Sequence, residues 1–122
     1  MNPTISSIGA PGSGRPVLRA KTKYGRVFKN PSLELLAKLV LGLGPGNPYL
    51  VIDRVDLPDG DYYAQALHRE DGTWQGEYRD GSRNRHYQAF ASGPGVVCQV
   101  LAGWALALPG WQRPLTWWPV YQ

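Results

Sequence analysis

Between residues 48 and 90 the chain alternates apolar and polar side chains at period two in four runs, 48–56, 61–68, 73–79 and 85–90. That period belongs to a strand, whose successive side chains point to opposite faces. The connections are Pro58-Asp59-Gly60, Asp71-Gly72 and Asp80-Gly81. In each, a glycine able to take positive φ follows an aspartate that hydrogen-bonds its own backbone, which is the chemistry of a tight turn. Turns this short leave no room for a crossover, so neighbouring runs pair antiparallel. The pattern predicts a four-stranded meander.

Two helices flank it. Asn30, Pro31 and Ser32 read as a helix start, an Asx-type cap followed by proline at the first helical position. Leu33, Leu36, Leu39, Val40 and Leu43 then recur on one face, Glu34 and Lys38 form an i,i+4 pair outside it, and Gly44-Pro45-Gly46 ends the helix. The second helix is predicted over 92–108, with Val97, Val100, Leu101, Trp104 and Leu108 on one stripe and small residues elsewhere, a composition that demands burial. A closing strand is expected over 115–121, with Pro119 marking it as an edge. Upstream, 17–28 reads as one hairpin or edge strand broken by Gly25. The predicted fold class is α+β: an antiparallel sheet of about four to six strands packed on two helices, in the order (β)-α-β-β-β-β-α-β. Residues 1–16 hold Pro3, Gly9, Pro11, Gly12, Gly14 and Pro16 with few large apolar side chains, and are expected to be a flexible segment. Residues 17–122 are expected to be one domain, since 122 residues with 43% hydrophobic content supply one core and hardly two.

Charge is distributed unevenly. Residues 1–47 carry Arg15, Arg19, Lys21, Lys23, Arg26, Lys29 and Lys38 against Glu34 alone, a balance of +6, whereas 48–122 carry six arginines and eight acids, a balance of −2. The longest uncharged stretch, 86–112, is interrupted by glycine and proline well short of the roughly 20 apolar residues that cross a bilayer, so no membrane partner is expected. One cysteine, Cys98, forms no internal disulfide, and the start of the chain lacks a secretory pattern. A cytoplasmic protein is expected.

The catalytic patterns fail one by one. His68-Arg69-Glu70 matches the H-x-E half of a zinc deaminase signature, but the Pro-Cys-x-x-Cys half needs two cysteines. Two histidines, His68 and His86, fall short of the three or four ligands zinc takes, so no metal and no cofactor are expected. Cys98 lies in the most apolar helix, where burial silences a thiol. No serine sits in G-x-S-x-G, and the glycines of 42–46 close a helix where a phosphate loop would open one. Among nine acids a working pair such as Asp53 with Glu77 can always be drawn, yet solvated or arginine-paired acids are the simpler reading. No catalytic residue is expected, and the chain is not expected to be an enzyme.

Binding is the better-supported class. Tyr62, Tyr63, Trp74, Tyr78, Tyr87 and Phe90 fall on the meander, whose two faces must divide them between core and surface. Leu50 and Ile52 on one strand, Tyr63-Ala64-Gln65-Ala66 on the next, Glu77-Tyr78-Arg79-Asp80-Gly81 followed by His86, an apolar helix reaching Trp104, and Leu115-Thr116-Trp117 resemble immunity proteins of bacterial polymorphic toxin systems, in particular the family often encoded beside deaminase-type toxins. The similarity spans about the last 75 residues and, loosely, the preceding helix. It implies a cytoplasmic toxin inhibitor, monomeric before binding, that blocks the active site of a cognate toxin acting on nucleic acid. Such a toxin carries a positive channel that acids oppose. The expected partner-binding residues are therefore Asp59, Asp61, Tyr62, Glu70, Asp71, Trp74, Glu77, Arg79 and Asp80. Direct nucleic-acid contact is not expected of such an inhibitor. The alternative is a nucleic-acid-binding accessory protein that uses Arg15, Arg19, Lys21, Lys23 and Arg26 on a flexible basic arm.

Overall fold

The computed structural model describes residues 17–58 and 60–120; the segment 1–16, with Arg15, and the loop residue Asp59 lie outside them. The described elements run β1 (Leu18–Thr22), β2 (Val27–Lys29), α1 (Leu33–Leu41), β3 (Tyr49–Arg54), β4 (Tyr62–His68), β5 (Trp74–Asp80), β6 (His86–Ala91), α2 (Pro94–Ala105) and β7 (Trp118–Pro119). All strands join one antiparallel sheet in the order β2-β1-β3-β4-β5-β6-β7. The fold is α+β as the period-two runs imply, with seven strands where four to six were expected. The added strand comes from the N-terminal segment, which forms the two strands β1 and β2 where the expected order allotted one. Gly72 and Gly81, the glycines of the two Asp-Gly turns, both take positive φ, at 84° and 100°.

The start of α1 differs from the sequence reading. Ser32 is the cap, its Oγ accepting the Leu35 N–H at 3.1 Å. Asn30 instead turns the chain out of β2 at φ 45°, and its Oδ1 accepts the Leu18 N–H at 3.0 Å. Its side chain thus ties down the first strand and does not cap the helix.

Both helices lie on one face of the sheet. Leu18 and Ala20 of β1, Leu50 and Ile52 of β3, Ala64 and Ala66 of β4, and Trp74 and Tyr78 of β5 pack there against Leu36, Val40, Val97 and Leu101. Leu50, Ile52, Leu101, Val40, Val97 and Val100 have essentially no exposed surface, and each such burial stabilises the fold by about 1.5–3 kcal/mol. Small residues are required where α2 crosses the sheet, which is why β4 and β6 offer Ala64, Ala66 and Ala89 to that face.

Helix α2 stops at Ala105, three residues before the expected end, and Leu108 is left 49% exposed. Ala107 takes positive φ there, so Leu108 drops off the helical stripe that its sequence spacing suggested. Trp111 takes the place beside α2: a Cβ on Gly103 would stand 2.8 Å from the Cβ of Trp111. Trp117 lies over Gly76, and its indole N–H donates to the Gln112 carbonyl at 2.8 Å. Tyr78 makes edge contacts with both tryptophans. Of the expected strand 115–121, the part over 115–117 is therefore a loop that lays aromatic rings over the helix-side core, and Tyr121 lies outside the described residues. Only Trp118–Pro119 pairs, with β6, at the sheet edge. Among the described residues no helix is long and apolar enough to cross a membrane.

Candidate functional site

The face of the sheet turned away from the helices follows from the same register. Lys29, Arg19, Asp53, Tyr63, Arg79 and His86 are successive neighbours from β2 across to β6. The adjacent row is Val27, Lys21, Val51, Gln65, Glu77, Gln88 and Trp118. Because side chains alternate along a strand, both rows project on this open face.

Its centre is a buried polar cluster. His86 is only 4% exposed, although no helix covers it. Its Nδ1 lies 3.2 Å from Arg79 Nε and 3.1 Å from Arg79 Nη2, and its Nε2 lies 2.8 Å from Glu77 Oε1. A guanidinium has donors and no acceptor, so Nδ1 accepts and the Nε2–H donates to the carboxylate. The Tyr63 hydroxyl approaches Nδ1 at 3.4 Å, the Tyr63 and His86 rings meet edge-on, and the Arg79 guanidinium lies 5.7 Å from the Tyr63 ring. Burial pushes the Tyr63 phenol above its ordinary pKa; the charge of Arg79 opposes that shift and the charge of Glu77 adds to it. The network continues outward, as Gln75 Nε2 donates to Glu77 Oε2 at 2.9 Å and to Gln88 Oε1 at 3.3 Å.

Next to this cluster Asp53, 7% exposed, receives Arg19 through Nη2 at 2.6 Å and Nε at 3.2 Å. Asp53 and Glu77 share the face but stand in different rows, and each is engaged by its own basic partner. They are not arranged as an acid and base pair around a common substrate. Both ring nitrogens of His86 are likewise engaged, so the cluster has the form of an interlocked polar surface. Among the described residues no group of three or more His, Cys, Asp or Glu side chains is placed to hold a metal ion.

The residues expected to bind a partner are dispersed. Glu77 and Arg79 belong to the cluster. Asp61 and Asp80 lie together at one end of the sheet, where Gly81 N–H donates to the Asp61 carbonyl and Arg85 pairs with Asp80 at 2.6 Å. Glu70 and Asp71 lie in the β4–β5 turn at the other end, about 20 Å away along seven-residue strands. Hydrogen bonds from Thr73 hold the Asp71 carboxyl below its usual range. Trp74 is buried in the core, edge-on to His68, and Tyr62 shares the helix-side face with Ala64, its hydroxyl near Gly81. Asp59 lies outside the described residues.

The basic segment is also placed differently from expectation. Arg19, Lys21, Lys23 and Arg26 are not on a flexible arm, since residues 18–29 form the β1–β2 hairpin of the sheet. The open face consequently bears Lys29, Arg19, Lys21 and Arg79 against Asp53 and Glu77, a net basic surface where acids were expected to meet the partner.

Sequence reasoning missed His86, Tyr63 and Asp53 as members of one surface. Glu77 and Arg79 stand two apart and so share a face, a signal legible in the strand pattern. Placing His86 opposite Arg79 required the register of β5 on β6. That register is set by a 3-10 turn at Arg83–Arg85, in a stretch where the sequence pattern already begins the next strand.

Compared with known proteins, the chain matches no family model, no curated protein and no solved structure. The resemblance to immunity proteins therefore rests on its motif residues.

Proposed function

We propose that this chain is an immunity protein, which binds a cognate bacterial toxin of the nucleic-acid-targeting deaminase type with the open face of the sheet and so blocks its active site, the net basic charge of that face meeting acidic ground beside the toxin's positive channel. One observation carries the reading. Of the residues in the Glu77-to-His86 motif that bears the resemblance, Glu77, Arg79 and His86 meet on the face that no helix covers. A motif serving only the core would place its side chains beneath the helices, as Tyr78 and Trp74 are placed.

The cluster favours binding over catalysis. A general base needs a ring nitrogen within reach of a substrate proton, and in His86 both nitrogens are already bonded to the protein. Around this rigid centre stand Phe90 and Trp118, 45% and 58% exposed, the aromatic type that anchors protein interfaces.

Co-expression with the toxin encoded beside it tests the proposal. Restored growth and a stable complex on gel filtration are expected. Continued toxicity together with separate elution of the two proteins would overturn it.

A further inference from the structure

The cations of the open face are concentrated at its β1–β2 side. Residues 17–30 contain five cations and no acid. Arg19 is engaged by Asp53, but Lys21, Lys23, Arg26 and Lys29 make no ion pair among the described residues. The register sets Lys29 directly opposite Arg19, with Lys21 two residues further along β1, so three cations stand together on the open face. Lys23 and Arg26 flank the hairpin tip, where Tyr24 is 70% exposed. Like charges opposed across a strand pair are destabilising. Lysine on an edge strand has a role in preventing strand addition, which accounts for Lys29 on β2. It does not account for Lys21, which lies on an interior strand.

A depression of about 340 Å³ opens beside Lys21, lined by Val51, Asp53, Gly60, Tyr63 and Gln65. Lys21 and Gln65 border it with donor-bearing side chains, while the Asp53 carboxylate is matched by two hydrogen bonds from Arg19. The depression thus sets a cation that makes no ion pair among the described residues beside the Val51 side chain and the Tyr63 ring.

We infer that the β1–β2 half of the open face docks an acidic segment of the protein partner, with one Asp or Glu side chain of that segment seated in the depression beside Lys21. This rests on the toxin-binding role proposed above. A protein fits better than a nucleic acid. Val27 and Val51 interrupt the cations on the same face, where a continuous phosphate backbone would find no counter-charge, whereas mixed apolar and charged surfaces are what protein interfaces use.

Affinity for a catalytically inactive form of the toxin, measured by calorimetry at low and high salt, tests the inference. The variant is the double charge reversal Lys21→Glu with Lys29→Glu; the control is Lys38→Glu on the exposed side of α1, where Lys38 pairs loosely with Glu34 at 3.8 Å. The double variant is expected to bind about tenfold or more weakly at low salt, with the gap narrowing at high salt. The control should stay within about twofold. Binding by the double variant within about twofold of the parent would overturn the inference while leaving the toxin-binding role intact. RNA or DNA oligonucleotides that bind the parent and not the double variant, with toxin affinity unchanged, would assign the cations to nucleic acid and overturn it as well. A parent protein that binds no toxin would remove the proposed function itself.

Discussion

Glu77 accepts the Nε2–H of His86 at 2.8 Å across neighbouring strands, and this bond secures the most deeply buried polar side chain on the open face. Removing the acceptor leaves a buried donor without its partner, which costs about 1–3 kcal/mol. Glu77→Ala is therefore expected to lower stability by that amount. Glu77→Gln keeps an oxygen in place and should lose less. Urea unfolding of the three proteins checks the order, and equal midpoints for Ala and Gln would show that the bond does not hold the cluster together.

Gly103 is expected to tolerate no side chain. In an open helix interior Gly→Ala gains about 1 kcal/mol. Here the new Cβ would stand 2.8 Å from the Cβ of Trp111, an atom close to the backbone that cannot swing aside. Overpacking of this kind costs about 1–3 kcal/mol, so Gly103→Ala should be destabilising on balance. The same substitution in a Trp111→Gly background, which removes the clashing Cβ, should recover the helix gain, a reversal of sign that denaturation can read.

Strand existence and turn positions were legible because they depend on nearest neighbours: the Asp71-Gly72 and Asp80-Gly81 turns punctuate the alternation, and β3 to β6 fall where the alternation lies. The cluster was not legible because it depends on register. The 3-10 turn at Arg83–Arg85 decides that His86, and not Arg85 or Tyr87, faces Arg79. The C-terminal segment misled for a different reason. Trp117 has the composition of a strand, yet the room over Gly76 makes it a covering of the core, as Trp111 is beside Gly103, a tertiary feature that no local pattern encodes. Asn30 likewise has the chemistry of a cap, but a distant backbone donor, the Leu18 N–H, claims its oxygen.

Alkaline pH should weaken the fold. Burial raises the pKa of both Tyr63 and Tyr78 above the ordinary 10.0. Below that value both phenols are neutral in folded and unfolded chains, and their contribution is fully present. Above it the unfolded chain loses protons that the folded chain retains, so stability falls as pH rises toward the folded-state values. Unfolding midpoints measured from neutral pH upward should decline beyond about pH 10, and less steeply in Tyr63→Phe. A flat profile would contradict the burial of these rings.

Cys98 should be a slow thiol. It lies half-buried on α2 against the core, and burial pushes its pKa above 9.0. Alkylation near neutral pH is expected to be several-fold slower in the folded protein than in urea, since the thiolate is the reacting species. Equal rates would place Cys98 in solvent.

The open face as the toxin-binding surface is tested most directly by hydroxyl-radical footprinting of the complex. Phe90 and Trp118 lie at the β6–β7 side of that face, whereas Leu33, Leu41 and Leu106 are comparably exposed on the helix side. Binding is expected to shield Phe90 and Trp118 and to leave the three leucines oxidised as in the free protein. Protection of Leu33, Leu41 and Leu106 with Phe90 and Trp118 unchanged would contradict the account.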